Sequence, residues 1–327
     1  MKKTKQKSTI FLAVLIGLFV FETSQAQRKM VRPAFLQKGD TVGIVATARK
    51  IELSTLQPAI ELMRGWGLHV VIGKTIGKEN HQLSGADWQR ATDLQLMLDN
   101  PDIKAIWAAK GGYGTVRIVD RLDFTTFKKE PKWLIGFSDM TVLHSHLNNM
   151  NIETLHAIMA LSARNATDEA KESLRKALFG EALEYHIEPH PFNKTGTATG
   201  ELVGGNLSVL YSILGSGSEV DFTDKILFIE DLDEYLYHID RMMMNLKRNG
   251  YFKGLKAVIV GGMTEMRDND IPWGKNALEI IQDILKETDI PVIYNFPAGH
   301  IRDNRALIFG KTVKVDVNDK QASVLFD

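Results

Sequence analysis

The sequence contains no cysteine. Disulfides, thiolate metal sites and a cysteine nucleophile are therefore excluded. The compartment stays open, because a chain of this size can hold together without disulfides. Net charge is also missing: 40 Lys and Arg balance 40 Asp and Glu. Nothing supplies the long-range field that gathers nucleic acid, so no nucleic-acid partner is expected. No apolar run reaches the ~18 residues of a membrane-spanning helix. Converging metal-ligand spacings are absent too. His144 and His146 are two apart and would point in different directions on a helix, and His156 sits in an apolar stretch as a packed core histidine would. No metal and no cofactor are expected. There is no internal repeat and no low-complexity tract.

What remains is a chain of 327 residues, which at ~100–200 residues per domain suggests two domains after any leader is removed. The leader is the first positive feature. A basic start (Lys2, Lys3, Lys5, Lys7) precedes an apolar run from Ile10 to Phe21, and small residues follow at Ser24 and Ala26. That is the layout of a secretory signal peptide, with cleavage expected after Ala26. The alternative is an uncleaved N-terminal anchor. On the first reading the mature protein is exported, periplasmic, and not inserted in a membrane.

Beyond the leader, apolar strands alternate with helical segments. Thr41 to Ala46, Leu68 to Ile72, Ile103 to Ala109 and Lys132 to Gly136 read as strands. Leu56 to Trp66, Gln89 to Leu98 and Val116 to Leu122 read as helical. This alternation predicts parallel βαβ units, an α/β fold with helices on both sheet faces. Residues 36–163 form this first domain. Residues 164–199 read as a connector, with a polar helix from Asp168 to Leu178 and a proline-punctuated stretch. A second α/β domain spans 200–327. Its strands are expected at Ile226–Ile229, Ala257–Val260, Val292–Tyr294 and Thr312–Val317, and its helices at Tyr235–Asn249 and Ala277–Glu287.

Four constellations stand where chemistry is usually placed. Trp133 to Asp139 runs from a buried strand into Ser138 on a turn before a helix at Thr141–Leu147. A nucleophilic serine gains from such a corner, which lifts its hydroxyl clear of the sheet and puts helix N–H groups beside it. Met140 stands where a full Gly-x-Ser-x-Gly elbow has its last glycine. Read alone, the serine fits a helix N-cap better. Lys110-Gly111-Gly112-Tyr113-Gly114 is neither a dinucleotide fingerprint nor a P-loop. It fits a tight turn or a backbone anion site equally. Glu230 is the first acid after Leu227-Phe228-Ile229, at the end of a strand that should face a ligand crevice. It equally fits a helix-start carboxylate, and Asp231, Asp233 and Glu234 read as solvated or capping. His300 lies in a loop between Gly299 and a polar run. A loop histidine by itself is most often a surface residue.

The order of these motifs says more than any one of them. Gly-Gly-Tyr-Gly is followed by Gly-Phe-Ser-Asp, by Gly204-Gly205-Asn206-Leu207, by Ile229-Glu230-Asp231, and by Gly299-His300 with Asn304. The chain thereby resembles the LD-carboxypeptidase family, which includes muramoyl-tetrapeptide carboxypeptidases and microcin-immunity amidases. The likeness runs from about Gly39 to Val317. It implies a serine peptidase, dimeric and metal-independent, with a triad split between the two domains and the active site at their interface. By position the triad is Ser138, Glu230 and His300, and the oxyanion hole is made by the N–H groups of Gly112 and Asp139. Gly111, Tyr113, Gly204, Gly205 and Asn206 are the expected substrate-binding residues. The implied substrate is a murein tetrapeptide that loses its terminal D-alanine. An amidase on the same scaffold and a non-catalytic periplasmic binding protein are the alternatives.

Overall fold

The computed structural model describes residues 29–327. The leader read in residues 1–26 lies outside the described residues. Each half of the rest is organised around one sheet. The first half runs β1 (Thr41–Val45), α1 (Gln57–Gly65), β2 (His69–Ile72), α2 (Asp87–Asp99), β3 (Ile103–Ala108), β4 (Trp133–Gly136), α3 (Thr141–Asn148) and β5 (Thr154–His156). Next come α4 (Asp168–Phe179), β6 (Glu184–Ile187), β7 (Gly196–Asn206), α5 (Leu207–Ser212), β8 (Lys225–Leu232) and α6 (Leu236–Arg248). The chain closes with β9 (Ala257–Thr264), α7 (Ala277–Leu285), β10 (Val292–Ile293), β11 (Leu307–Phe309), β12 (Thr312–Val317) and β13 (Ala322–Phe326).

The first sheet has the order β11-β5-β4-β3-β1-β2 and is parallel from β5 to β2. Its strands are short, and all but the edge strand β2 are largely buried on both faces, as strands covered by helices must be. The second sheet has the order β10-β9-β8-β7-β12-β13-β6. It is parallel from β10 to β7 and antiparallel from β7 to β6. The C-terminal ends of β3 and β4 in one sheet and of β7 and β8 in the other meet at one crevice, the usual ligand position in such sheets.

Two features lock the halves together. β11 returns from the far end of the chain to pair antiparallel with β5, Leu307 opposite His156. One apolar cluster then runs through both sheets, including Ile44, Trp107 and Trp133 of the first and Phe228, Ile259 and Val313 of the second. Burial of so many large apolar side chains makes this shared core the main favourable term holding the crevice's walls in register.

The helices end where their sequences say they should. Thr167 caps α4 by accepting the Ala170 N–H at 3.1 Å, and left-handed Gly180 stops it. Asn276 and Glu279 form a reciprocal cap on α7. The helical stretch expected at 116–122 is instead a pair of 3-10 turns, Thr115–Arg117 and Val119–Arg121. Its first turn is pinned elsewhere: the Thr115 N–H goes to the Asp139 carboxylate and its hydroxyl to Thr47, both at 2.8 Å. The stretch read as a connector holds α4, the edge strand β6 and the start of β7, which begins at Gly196.

Candidate active site

Ser138 is brought to the crevice by the strand–turn–helix run from β4 to α3. Its φ is +59°, a left-handed conformation that L-residues other than glycine rarely adopt. No cap hydrogen bond comes from its side chain: the residue before the 3-10 turn is Phe137 and the residue before α3 is Met140, neither with a side-chain cap. The helix-cap reading of Ser138 therefore has no bond to support it. The strand end is held from behind by His144, whose Nε2–H donates to Gly136 O at 2.9 Å while Nδ1 accepts from the Thr154 hydroxyl at 2.8 Å. Full burial lowers the His144 pKa to about 4, so this bracket stays neutral.

Glu230 and His300 meet from different elements. Glu230 is completely buried in β8. One of its oxygens, Oε2, accepts from the His300 ring Nδ1–H at 2.6 Å and from the His300 backbone N–H at 3.1 Å. That contact fixes the proton on Nδ1 and leaves Nε2 with a lone pair. Gly299 lets the loop pass this closely: its φ is +105°, and a Cβ there would fall 2.7 Å from Glu230 Cβ. Asn304 steadies the same turn by accepting the Gly299 N–H at 2.8 Å. Burial pulls the His300 pKa down, but the Glu230 charge and hydrogen bond, with smaller help from Asp231 and Glu265, more than offset it, and the net shift is upward.

Ser138 and His300 line one cavity of about 550 Å³, between residues of the first half (Arg49, Gly111, Gly112, Tyr113) and of the second (Asn206, Asp231). Among the described residues, no hydrogen bond joins Ser138 to His300. The N–H groups of Gly112 and Asp139 donate to no protein acceptor among the described residues. The Asp139 carboxylate turns away, buried against Thr115, with burial raising its pKa. No group of three or more His, Asp or Glu placed to hold a metal ion is found among the described residues.

Two expected lining residues lie elsewhere. Gly204 and Gly205 do not border the cavity. A Cβ on Gly204 would fall 1.9 Å from the Phe228 carbonyl oxygen, and one on Gly205 would fall 2.3 Å from Thr141 Oγ1. These glycines exist for close packing of β7 on β8 and on α3. The neighbouring Asn206 does reach the cavity. Its N–H donates to Thr141 Oγ1 at 2.9 Å, tying the two halves together beside Ser138.

Asp231 is neither solvated nor a simple helix cap. It is 1% exposed and accepts from Asn206 Nδ2, the Ser208 N–H and its neighbour Leu232 N–H at 2.8–2.9 Å. Burial first, and the Glu230 charge next, push its pKa up to about 7. The strand simply continues past the last apolar residue, to Leu232. Arg49, passed over in the sequence, also borders the cavity, as does Lys110, named there only as the first residue of the glycine turn. Their signal was position alone: each follows an apolar strand whose C-terminal end faces the crevice.

Comparison with known proteins gives one consistent answer. Residues 42–157 match the LD-carboxypeptidase N-terminal domain, and residues 199–315 match the LD-carboxypeptidase C-terminal domain. The chain is 34% identical over 300 residues to a probable murein peptide carboxypeptidase of Bacillus subtilis, covering 90% of this chain and 94% of that one. It is 28% identical to the murein tetrapeptide carboxypeptidase of Pseudomonas aeruginosa, covering 85% and 93%. Among solved structures, a muramoyltetrapeptide carboxypeptidase from Oxalobacter formigenes superposes with a TM-score of 0.81 at 25% identity, covering 88% of this chain and 98% of that one. The microcin C7 self-immunity protein MccF of Escherichia coli is 25% identical over 328 residues, covering 88% and 94%. The chain belongs to the LD-carboxypeptidase family.

Proposed function

We propose that this protein is a serine carboxypeptidase that hydrolyses the L-to-D bond of murein tetrapeptides and releases terminal D-alanine. The observation that carries the reading is the 2.6 Å contact between His300 Nδ1 and buried Glu230, opening on the same cavity as the left-handed Ser138. Its geometry supports the following roles. His300 Nε2 takes the Ser138 proton as the hydroxyl oxygen attacks the scissile carbonyl. Glu230 holds the imidazole tautomer and stabilises the imidazolium. The undonated N–H groups of Gly112 and Asp139 receive the oxyanion. His300 then protonates the departing amine, and water hydrolyses the acyl-enzyme.

The names of the Bacillus and Pseudomonas relatives supply the murein substrate class. Likeness to the self-immunity protein favours a second reading, an amidase with the same triad and a different acyl donor. Export through the N-terminal leader and a homodimer complete the proposal.

The test is mass spectrometry of a purified tetrapeptide incubated with the protein, alongside labelling by a fluorophosphonate. Release of D-alanine and labelling at Ser138 are expected. An untouched peptide with a labelled serine would favour the amidase. An unlabelled serine would return the binding-protein alternative.

A further inference from the structure

The cavity contains cations with nothing to pair with. Arg267, on its rim, is fully engaged: it donates to the Asp233 carbonyl at 2.6 and 3.1 Å, pairs with the Asp233 carboxylate at 2.9 Å and lies 4.8 Å from the Tyr235 ring. Arg49 and Lys110 border the same cavity and make no ion pair or side-chain hydrogen bond among the described residues. Of the two, Arg49 is the one that packs on Gly112, a proposed oxyanion donor. Its backbone N–H donates to Gly111 O at 3.4 Å. Its side chain lies flat against Gly112, so that a Cβ on Gly112 would fall 2.5 Å from Arg49 Cδ and 2.6 Å from its Nε. The guanidinium is therefore held next to the N–H that faces the scissile carbonyl oxygen.

An exposed guanidinium in that place, with no protein partner among the described residues, is free to receive a carboxylate. Its planar fork binds one through two parallel N–H···O bonds. We infer that Arg49 is the residue that recognises the free terminal carboxylate of the substrate, and so makes the enzyme a carboxypeptidase rather than an internal peptidase. This rests on the proposed role of Ser138. Chain geometry supports it: the terminal carboxylate carbon is three bonds beyond the scissile carbonyl carbon, about 4 Å away at most. A cation packed against the oxyanion donor lies within reach of it. Gly112 is then required twice, once for its N–H and once because any side chain would displace Arg49.

The same chemistry is offered by a second source, the side-chain carboxylate of a diaminopimelate residue at the third position. The experiment separates them. Wild type and Arg49→Gln are compared on a lysine-type tetrapeptide, its C-terminal amide and the diaminopimelate-type tetrapeptide, with fluorophosphonate labelling of Ser138 followed in parallel. For Arg49→Gln, kcat/KM on both free acids should fall about 10–100-fold, mostly through KM, the range for a lost hydrogen-bonded charge contact. The amide should change by less than about threefold, labelling should persist, and Arg49→Lys should recover part of the loss. An acid-to-amide ratio that survives the substitution overturns the inference, as does an equal fall on all three peptides. A loss confined to the diaminopimelate peptide also overturns it, moving Arg49 to the third residue. If wild type cleaves none of the peptides and Ser138 is unlabelled, it is the proposed function that fails.

Discussion

The two corners that meet in the cavity are built in opposite ways. At the Ser138 corner the backbone does the positioning: a buried strand, a left-handed residue and a helix start set the hydroxyl, and the side chain makes no hydrogen bond among the described residues. At the His300 corner side chains do it. Buried Glu230 holds both the ring and the backbone N–H of His300, and Asn304 holds Gly299. The first corner stores strain and the second stores hydrogen bonds. A substitution at Ser138 should therefore separate rate from stability, while one at Glu230 should join them.

The largest effect should come from Ser138→Ala, with a loss of ~10⁴–10⁶ in kcat, as for other triad nucleophiles. Its thermal midpoint should stay within a few degrees of wild type, measured by calorimetry. More than about a tenth of wild-type activity would remove Ser138 from the chemistry, and a large drop in midpoint would contradict the backbone-built corner.

Glu230→Gln should be second, at roughly 10³–10⁴ in kcat/KM, by analogy with loss of the orienting acid in other triads. It should also cost stability, because the neutral amide weakens both His300 bonds and buries an NH2 with no acceptor where Glu230 Oε1 stands unpartnered. The pH profile sharpens the point. A general base must be neutral, so activity falls as pH drops through the His300 pKa, which lies above its ordinary ~6.5. Glu230→Gln removes the main raising causes and leaves burial, so the acid limb should move to lower pH. Burial and the Glu230 charge push the Asp231 pKa up to about 7, so Asp231→Asn should simplify that limb without moving the His300 step far. An acid limb that stays in place in Glu230→Gln would mean another group sets it.

Gly299→Ala comes third. The new methyl would sit 2.7 Å from Glu230 Cβ at a φ of +105°. Relief requires the loop to move, so about 1–3 kcal/mol of stability should go, with most of the activity. Denaturant unfolding and kcat/KM measured together test whether the losses travel as a pair.

The asymmetry also explains what the sequence could reveal. Strong alternation made β12 readable to the residue, Thr312 to Val317, because alternate side chains are buried against the second sheet. Ser138 was visible as a serine after a buried strand, but its left-handed φ and its lack of a capping bond were not. β5 and β11 are three residues each, too short for any period to show, and they pair across about 150 residues of chain. β8 was cut short at Ile229 because Glu230 and Asp231 look like the end of a strand. They stay inside it because His300, Asn206 and Ser208 answer their charges, which are partners only the fold brings near. Gly204 and Gly205 had the composition of a ligand loop, and nothing local distinguishes that from close packing of one strand on its neighbours.

The smallest expected effect probes the stored strain directly, by comparing Ser138→Gly with Ser138→Ala. Both remove the nucleophile and both should be inactive, so activity cannot tell them apart. Their stabilities should differ. Alanine keeps a Cβ at φ +59° and so keeps the left-handed penalty, whereas glycine adopts that conformation freely. Glycine also gains entropy in the unfolded chain, which works against it. The strain is of order 1–3 kcal/mol and the entropy roughly 0.4–1 kcal/mol. Ser138→Gly should therefore be the more stable by about 1 kcal/mol, read from urea unfolding with equal slopes. If alanine proves the more stable variant, the strained conformation costs little, and the nucleophile corner is held by its surroundings no differently from the histidine corner.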